Sequence, residues 1–140
     1  MKTLSLITVF IMSFSLSAKS DTIDFWHIYY NGVKIKECNQ LAINEIALKL
    51  KKIKREDSII VKYFRDTPCF NCKSILDIED DKGILILKAT GNGTLSPIKF
   101  AIKDILRNSK RRKRIKVFYR EEPPKPASQN FLLFYIRIEK

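Results

Sequence analysis

The sequence predicts an all-β chain, an antiparallel β-sandwich of seven or eight short strands with one short helical turn near residues 103–107. Two observations carry this. Short runs rich in β-branched and aromatic residues alternate apolar with polar positions, and Gly, Asn, Asp or Pro turn signals separate them at intervals of about ten residues.

Residues 1–20 stand apart from that pattern. Lys2 precedes an apolar run from Leu4 to Leu16, and Ala18-Lys-Ser20 supplies the small residues of a cleavage site. This reads as a secretory signal peptide, since the run is short of the roughly 20 residues that cross a bilayer. Residues 21–140 are then expected to form a single exported domain, periplasmic or secreted, that is not an integral membrane protein.

The strands follow in order. Ile23–Tyr30 and Val33–Lys36 flank Asn31-Gly32, a pair that tolerates the positive φ of a type I′ hairpin turn. From Glu45, Ile46, Leu48 and Leu50 alternate with Ala47, Lys49 and Lys51, which predicts a strand with one wet face over the helix that Leu41–Ile53 would otherwise allow. Ser58–Arg65 carries Ile59, Val61 and Tyr63 on one face and Ile60 and Phe64 on the other, as a mid-sheet strand covered on its outer side would. Ile75–Glu79 and Ile84–Lys88 flank the turn Asp80-Asp-Lys-Gly83. After Gly91-Asn-Gly93, Pro97–Ile102 alternates again and leads into the helical turn. Ile115, Val117 and Tyr119 then alternate with Lys116, Phe118 and Arg120, and Phe131–Glu139 closes a hairpin with Leu132, Phe134, Ile136 and Ile138 on one face.

The strand, helical turn and strand from Ile98 to Tyr119 resemble the bottom of an immunoglobulin-like domain, where a short turn crosses between sheets. The likeness is one of architecture and covers most of residues 21–140. The inter-sheet disulfide around a central tryptophan is absent, because Trp26 precedes every cysteine.

Chemistry-bearing patterns are sparse. The chain has one histidine, His27, and no nucleophile elbow or glycine-rich phosphate loop, so a non-enzymatic protein without cofactor or metal is expected. Cys69-Phe-Asn-Cys72 has thiol-redox spacing, but the residues after it alternate like a strand, and the helix N-terminus that lowers a thiol pKa is missing. A structural disulfide between Cys69 and Cys72 is expected, with Cys38 as the alternative partner; thiol activity of the pair is a second alternative. A zinc set of Cys38, Cys69, Cys72 and His27 is formally complete, yet only its Cys-x-x-Cys half has diagnostic spacing.

Charge is the other signal. The chain carries 27 Lys and Arg against 15 Asp and Glu, a formal net charge of +12. Lys110, Arg111, Arg112, Lys113 and Arg114 are consecutive, and Lys51, Lys52, Lys54 and Arg55 form a second cluster. Such runs suit phosphates, sulfates or lipid headgroups, or a solvated loop. No aromatic residues interleave as in a base-stacking platform, and export removes the chain from nucleic acid. Pro123, Pro124 and Pro126 stiffen the loop before the last strand, and loops at the end of a sandwich are where binding sits. The expected function is a binding or accessory module at an envelope or surface, its partner a protein or an anionic envelope surface. The alternative is a polyanion-binding module using Lys110–Arg114.

Overall fold

The computed structural model describes residues 23–108, 114–123 and 130–140. Residues 1–20, and with them the expected signal peptide, lie outside the described residues.

Nine strands and one helix appear among the described residues: β1 (Phe25–Tyr30), β2 (Val33–Asn39), β3 (Glu45–Lys49), β4 (Ser58–Phe64), β5 (Lys73–Asp80), β6 (Leu85–Asn92), β7 (Ile98–Ala101), α1 (Ile102–Asn108), β8 (Arg114–Glu122) and β9 (Phe131–Glu139). They form a four-stranded sheet in the order β2-β1-β4-β7 and a five-stranded sheet in the order β3-β9-β8-β5-β6. One apolar cluster joins them. It takes Trp26, Ile28, Val61, Tyr63 and Phe100 from the first sheet and Leu76, Ile78, Val117, Tyr119 and Phe134 from the second. The Tyr63 and Tyr119 rings stack across the two sheets with centroids 4.2 Å apart.

The all-β expectation holds, with corrections. Among the described residues the strands number nine instead of seven or eight, each of the β-rich runs read from the sequence forming its own strand. The second sheet is mixed, not antiparallel, since β3 runs parallel to β9 with Ile46 opposite Ile136. A parallel neighbour requires a crossover, and here the whole of β4 to β8 lies between the two strands. Leu50 leaves the alternation: β3 ends at Lys49, Leu50–Lys52 turn as a 3-10 helix, and Leu50 is exposed.

In β9 the inward set is Leu133, Phe134 and Ile136, while Leu132 is exposed. Val117 faces Phe134 but Phe118 faces Leu132, so Leu133 is the extra residue of a β-bulge that shifts the alternation by one. The strand buried on both faces is β5, which lies between β8 and β6; the outer face of β4 (Ile60, Lys62, Phe64) is only half-buried.

Asn31 and Gly32 have φ of 50° and 84°, as the type I′ turn requires. That turn is locked onto the start of β4. Asn31 Nδ2 donates to Asp57 Oδ1 at 2.9 Å, and the Ser58 N–H donates to Asn31 Oδ1 at 2.9 Å.

The connections fix the two ends of the molecule. β3→β4 and β7→α1→β8 cross between sheets at one end, which also holds the β1–β2 and β5–β6 turns. β2→β3, β4→β5 and β6→β7 cross at the other. α1 closes the first end by burying Ile102 and Ile105.

Candidate functional site

The sequence-predicted residues divide between the two ends. β8 spans nine residues, about 26 Å at roughly 3.3 Å per step, with Arg114 at one end and Glu122 at the other. Arg114, the last residue of the basic run, and Pro123, the first of the proline-rich loop, therefore sit at opposite ends. Lys110, Arg111, Arg112 and Lys113 lie outside the described residues, as do Pro124 and Pro126; Pro123 is exposed.

At the proline end, Lys73 pairs with both Asn92 and Glu122, which brings Cys72 beside Gly93 and Pro123. The Cys69 and Cys72 sulfurs are at disulfide distance with Cα atoms 5.8 Å apart, and Cys38 is a separate buried cysteine on β2. Burial pushes the Cys38 thiol pKa up. β5 begins directly after Cys72, so no helix N-terminus stands there to activate a thiol. The loop is instead tied down. Cys69 N–H donates to Thr94 Oγ1 at 2.7 Å, Thr94 N–H to the Cys69 carbonyl at 2.8 Å, and Gly93 N–H to the Cys72 carbonyl at 2.7 Å.

Beneath it lies Glu121, 3% exposed, a residue that sequence reasoning did not single out. Thr94 Oγ1 donates to its Oε1 at 2.6 Å, Tyr119 OH to the same oxygen at 2.9 Å, and Arg65 pairs with Oε2 at 3.2 Å. Burial, then the bond to Glu121, raises the Tyr119 pKa. The inward parity of Ile115, Val117 and Tyr119 continues to Glu121 and was the available signal.

The formally complete zinc set does not assemble. His27 pairs with Glu37 at 2.9 Å and Cys38 packs in the core, while Glu121 is the acid grouped with Cys69 and Cys72. In that trio the two sulfurs are at disulfide distance and the carboxylate is held by Thr94, Tyr119 and Arg65. Thr94 is buried in the same network.

The end at which β3→β4 and β7→α1→β8 cross, the crossover end, gathers exposed cations, with Glu56 and Asp81 also exposed there. Lys51, Lys52, Lys54 and Arg55 are all exposed in the β3–β4 connection. Lys103 and Arg107 of α1, Lys82 in the β5–β6 turn and Lys140 are exposed at the same end. Asn108 and Arg114, which flank the basic run, lie there too. The Lys51–Arg55 cluster and the cations of α1, some fifty residues apart in sequence, thus reach one end.

Asp57 positions the loop that carries the first cluster. It accepts the Lys54 N–H at 2.8 Å, the Asn31 amide and the Tyr30 hydroxyl. The Tyr30 bond, then the Lys54 N–H, hold its carboxyl below the usual range, and burial with the Asp57 contact pushes Tyr30 up to about 12. Arg114 differs from its expected role as a loop cation. It is the first residue of β8, pairs with Glu45 at 3.3 Å and lies 3.7 Å from the centroid of the Tyr135 ring.

A groove of about 600 Å³ runs between the outer strands β2 and β3, lined by Tyr30, Ile35, Lys36, residues 45–49, Lys52 and Ile53. No helix among the described residues is long and apolar enough to cross a membrane. No family model, characterised protein or solved structure matches the chain.

Proposed function

We propose that the chain is a small, exported, non-enzymatic binding module of immunoglobulin-like sandwich type that docks on an anionic envelope surface through its crossover end. The observation that carries the reading is the convergence there of Lys51, Lys52, Lys54, Arg55, Lys82, Lys103 and Arg107, all exposed. What supports the sandwich type is the crossing from β7 through α1 to β8 between the two sheets.

The physical case is one of charge placement. Each cation near an anionic bilayer contributes about 1 kcal/mol, falling off within a Debye length of about 8 Å at physiological salt. Several on one end bind cooperatively as a surface, where the same number scattered over the molecule would not face one plane. The Asp57 bonds hold the β3–β4 connection, so little ordering entropy is lost on contact.

Co-sedimentation with vesicles tests this directly. Retention on vesicles rich in anionic lipid and none on zwitterionic vesicles is expected. Equal retention on both, or none on either, contradicts it.

A further inference from the structure

We propose that the free edge of β3 takes an extended, alternately apolar and acidic segment of a partner polypeptide as an added strand of the second sheet.

The backbone of β3 is polarised between its two sides. Asn44 accepts the Tyr135 N–H at 2.8 Å through its carbonyl, which therefore points to β9. The next carbonyl, that of Glu45, accepts Lys36 Nζ at 2.9 Å and therefore points across the groove. In a strand each residue directs its N–H and C=O to one side and its neighbour directs them to the other. Ile46 and Leu48 thus bond to β9, while Ala47 turns its N–H and C=O, and Lys49 its N–H, to the open edge; the Lys49 carbonyl caps the 3-10 turn that follows. β3 is the terminal strand of its sheet, so no strand among the described residues takes them up.

The opposite wall treats its edge differently. In β2, Ile28 faces Lys36 and Tyr29 faces Lys34, leaving Ile35 as a bulged extra residue. The bulge blunts the β2 edge against pairing; β3 ends on Lys49 but has neither a bulge nor a proline. The groove is therefore one-sided, with a template on β3 and side chains on β2.

Its chemistry selects the occupant. A strand laid along Ala47 and Lys49 sends alternate side chains into the groove, toward Tyr30, Ile35 and Ile53, and the others outward. Val33 of β2 and Leu50, directly after β3, are exposed apolar residues that continue those strands. Lys36, Lys49 and Lys52 rim the groove, which favours carboxylates on the occupant. A second copy of this chain is disfavoured, because each brings a net charge of +12 and the same lysines. The inference goes beyond surface docking and rests on different atoms, the β3 backbone.

The test uses the full chain and two blocked decapeptides, one alternating Val with Glu and one alternating Val with Lys. Amide hydrogen exchange and peptide affinity are both measured. The Val-Glu peptide is expected to slow exchange at Ala47 and Lys49 by at least about tenfold and to bind on the order of tenfold tighter than the Val-Lys peptide. Ala47→Pro removes an outward N–H that β9 does not use, a change edge strands tolerate, and is expected to abolish binding while leaving the fold. Lys49→Glu with Lys52→Glu, which keeps the backbone donors, is expected to reverse the peptide preference. Equal binding of both peptides, or Val-Glu binding without slowed Ala47 exchange, overturns the proposal. So does an Ala47 amide already protected in the free chain, whether by its own residues 1–22 or, if the protection rises with concentration, by a second copy. Should Ala47→Pro unfold, exchange in the unaltered chain still decides.

Discussion

Asp57 is the residue on which the crossover end depends. Its three bonds come from Lys54, three residues back, and from Tyr30 and Asn31, which are 27 and 26 residues away. No local pattern announces such partners; a lone Asp before a strand reads as a turn residue. The linkage has a definite sign. The unfolded carboxyl takes its proton near 3.9 and the folded one only at lower pH, so the unfolded chain binds the proton first. The contribution of Asp57 is complete above about pH 5 and is lost as pH falls through the folded value. Chemical denaturation should find Asp57→Asn less stable than the parent at neutral pH, with the difference shrinking from about pH 5 to pH 2. A difference that does not change with pH would contradict this account. Tyr30 carries the opposite dependence: its folded pKa, pushed up to about 12, makes its contribution complete below pH 10 and lost as pH rises through 12. Ser74 gives a simpler case. It is fully buried, and its hydroxyl has no hydrogen-bond partner among the described residues. Ser74→Ala should raise stability by roughly 1 kcal/mol, because an unpaired buried hydroxyl keeps its desolvation cost. Destabilisation measured by the same denaturation would mean that Oγ has a partner.

At the scale of elements, period and turn chemistry carried most of the information. Asn31-Gly32 and the Ile46 and Leu48 alternation are local signals, and both elements form where those residues place them. The misreadings have local causes with distant origins. The Leu133 bulge depends on how β9 meets β8, and the parallel β3–β9 pair joins residues about ninety positions apart. Helix-forming Glu, Ala, Leu and Lys in Glu45–Lys49 yield to that pairing, a tertiary override of propensity. The Cys69–Cys72 loop illustrates a further limit. Its closeness to Gly93 was invisible, although Gly93 turned out to need its lack of a side chain, with φ +80° and a Cβ position 2.9 Å from the Cys69 carbonyl oxygen. Gly93→Ala should therefore cost roughly 2 kcal/mol or more of unfolding free energy, from left-handed backbone strain and a backbone clash together. A loss below about 0.5 kcal/mol would show that the loop moves freely away from that turn.

The whole molecule is asymmetric in charge, and the asymmetry explains why its candidate surface was only half legible. Each basic cluster can be read from the sequence, and so can each loop, but not which loops share an end. Topology decides that. By crossing between sheets at the same end, β3→β4 and β7→β8 bring Lys51–Arg55 together with α1 and Arg114, and leave Pro123 and the cysteines at the other. Glu121 escaped notice for a related reason, since inward parity marks a position but does not reveal that Arg65 and Thr94 meet it there. The most direct measurement is the salt dependence of affinity for anionic vesicles, compared between two variants of equal net charge. One carries Lys51→Glu, Lys54→Glu and Arg55→Glu, and leaves the groove lysines in place. The other carries Lys62→Glu, Lys73→Glu and Lys88→Glu, away from the crossover end. Localised docking predicts a steep loss of affinity with salt for the parent, roughly unchanged in the second variant and nearly flat and weak in the first. Equal losses in the two variants would mean that net charge alone attracts the chain, and the crossover end would not be its binding surface.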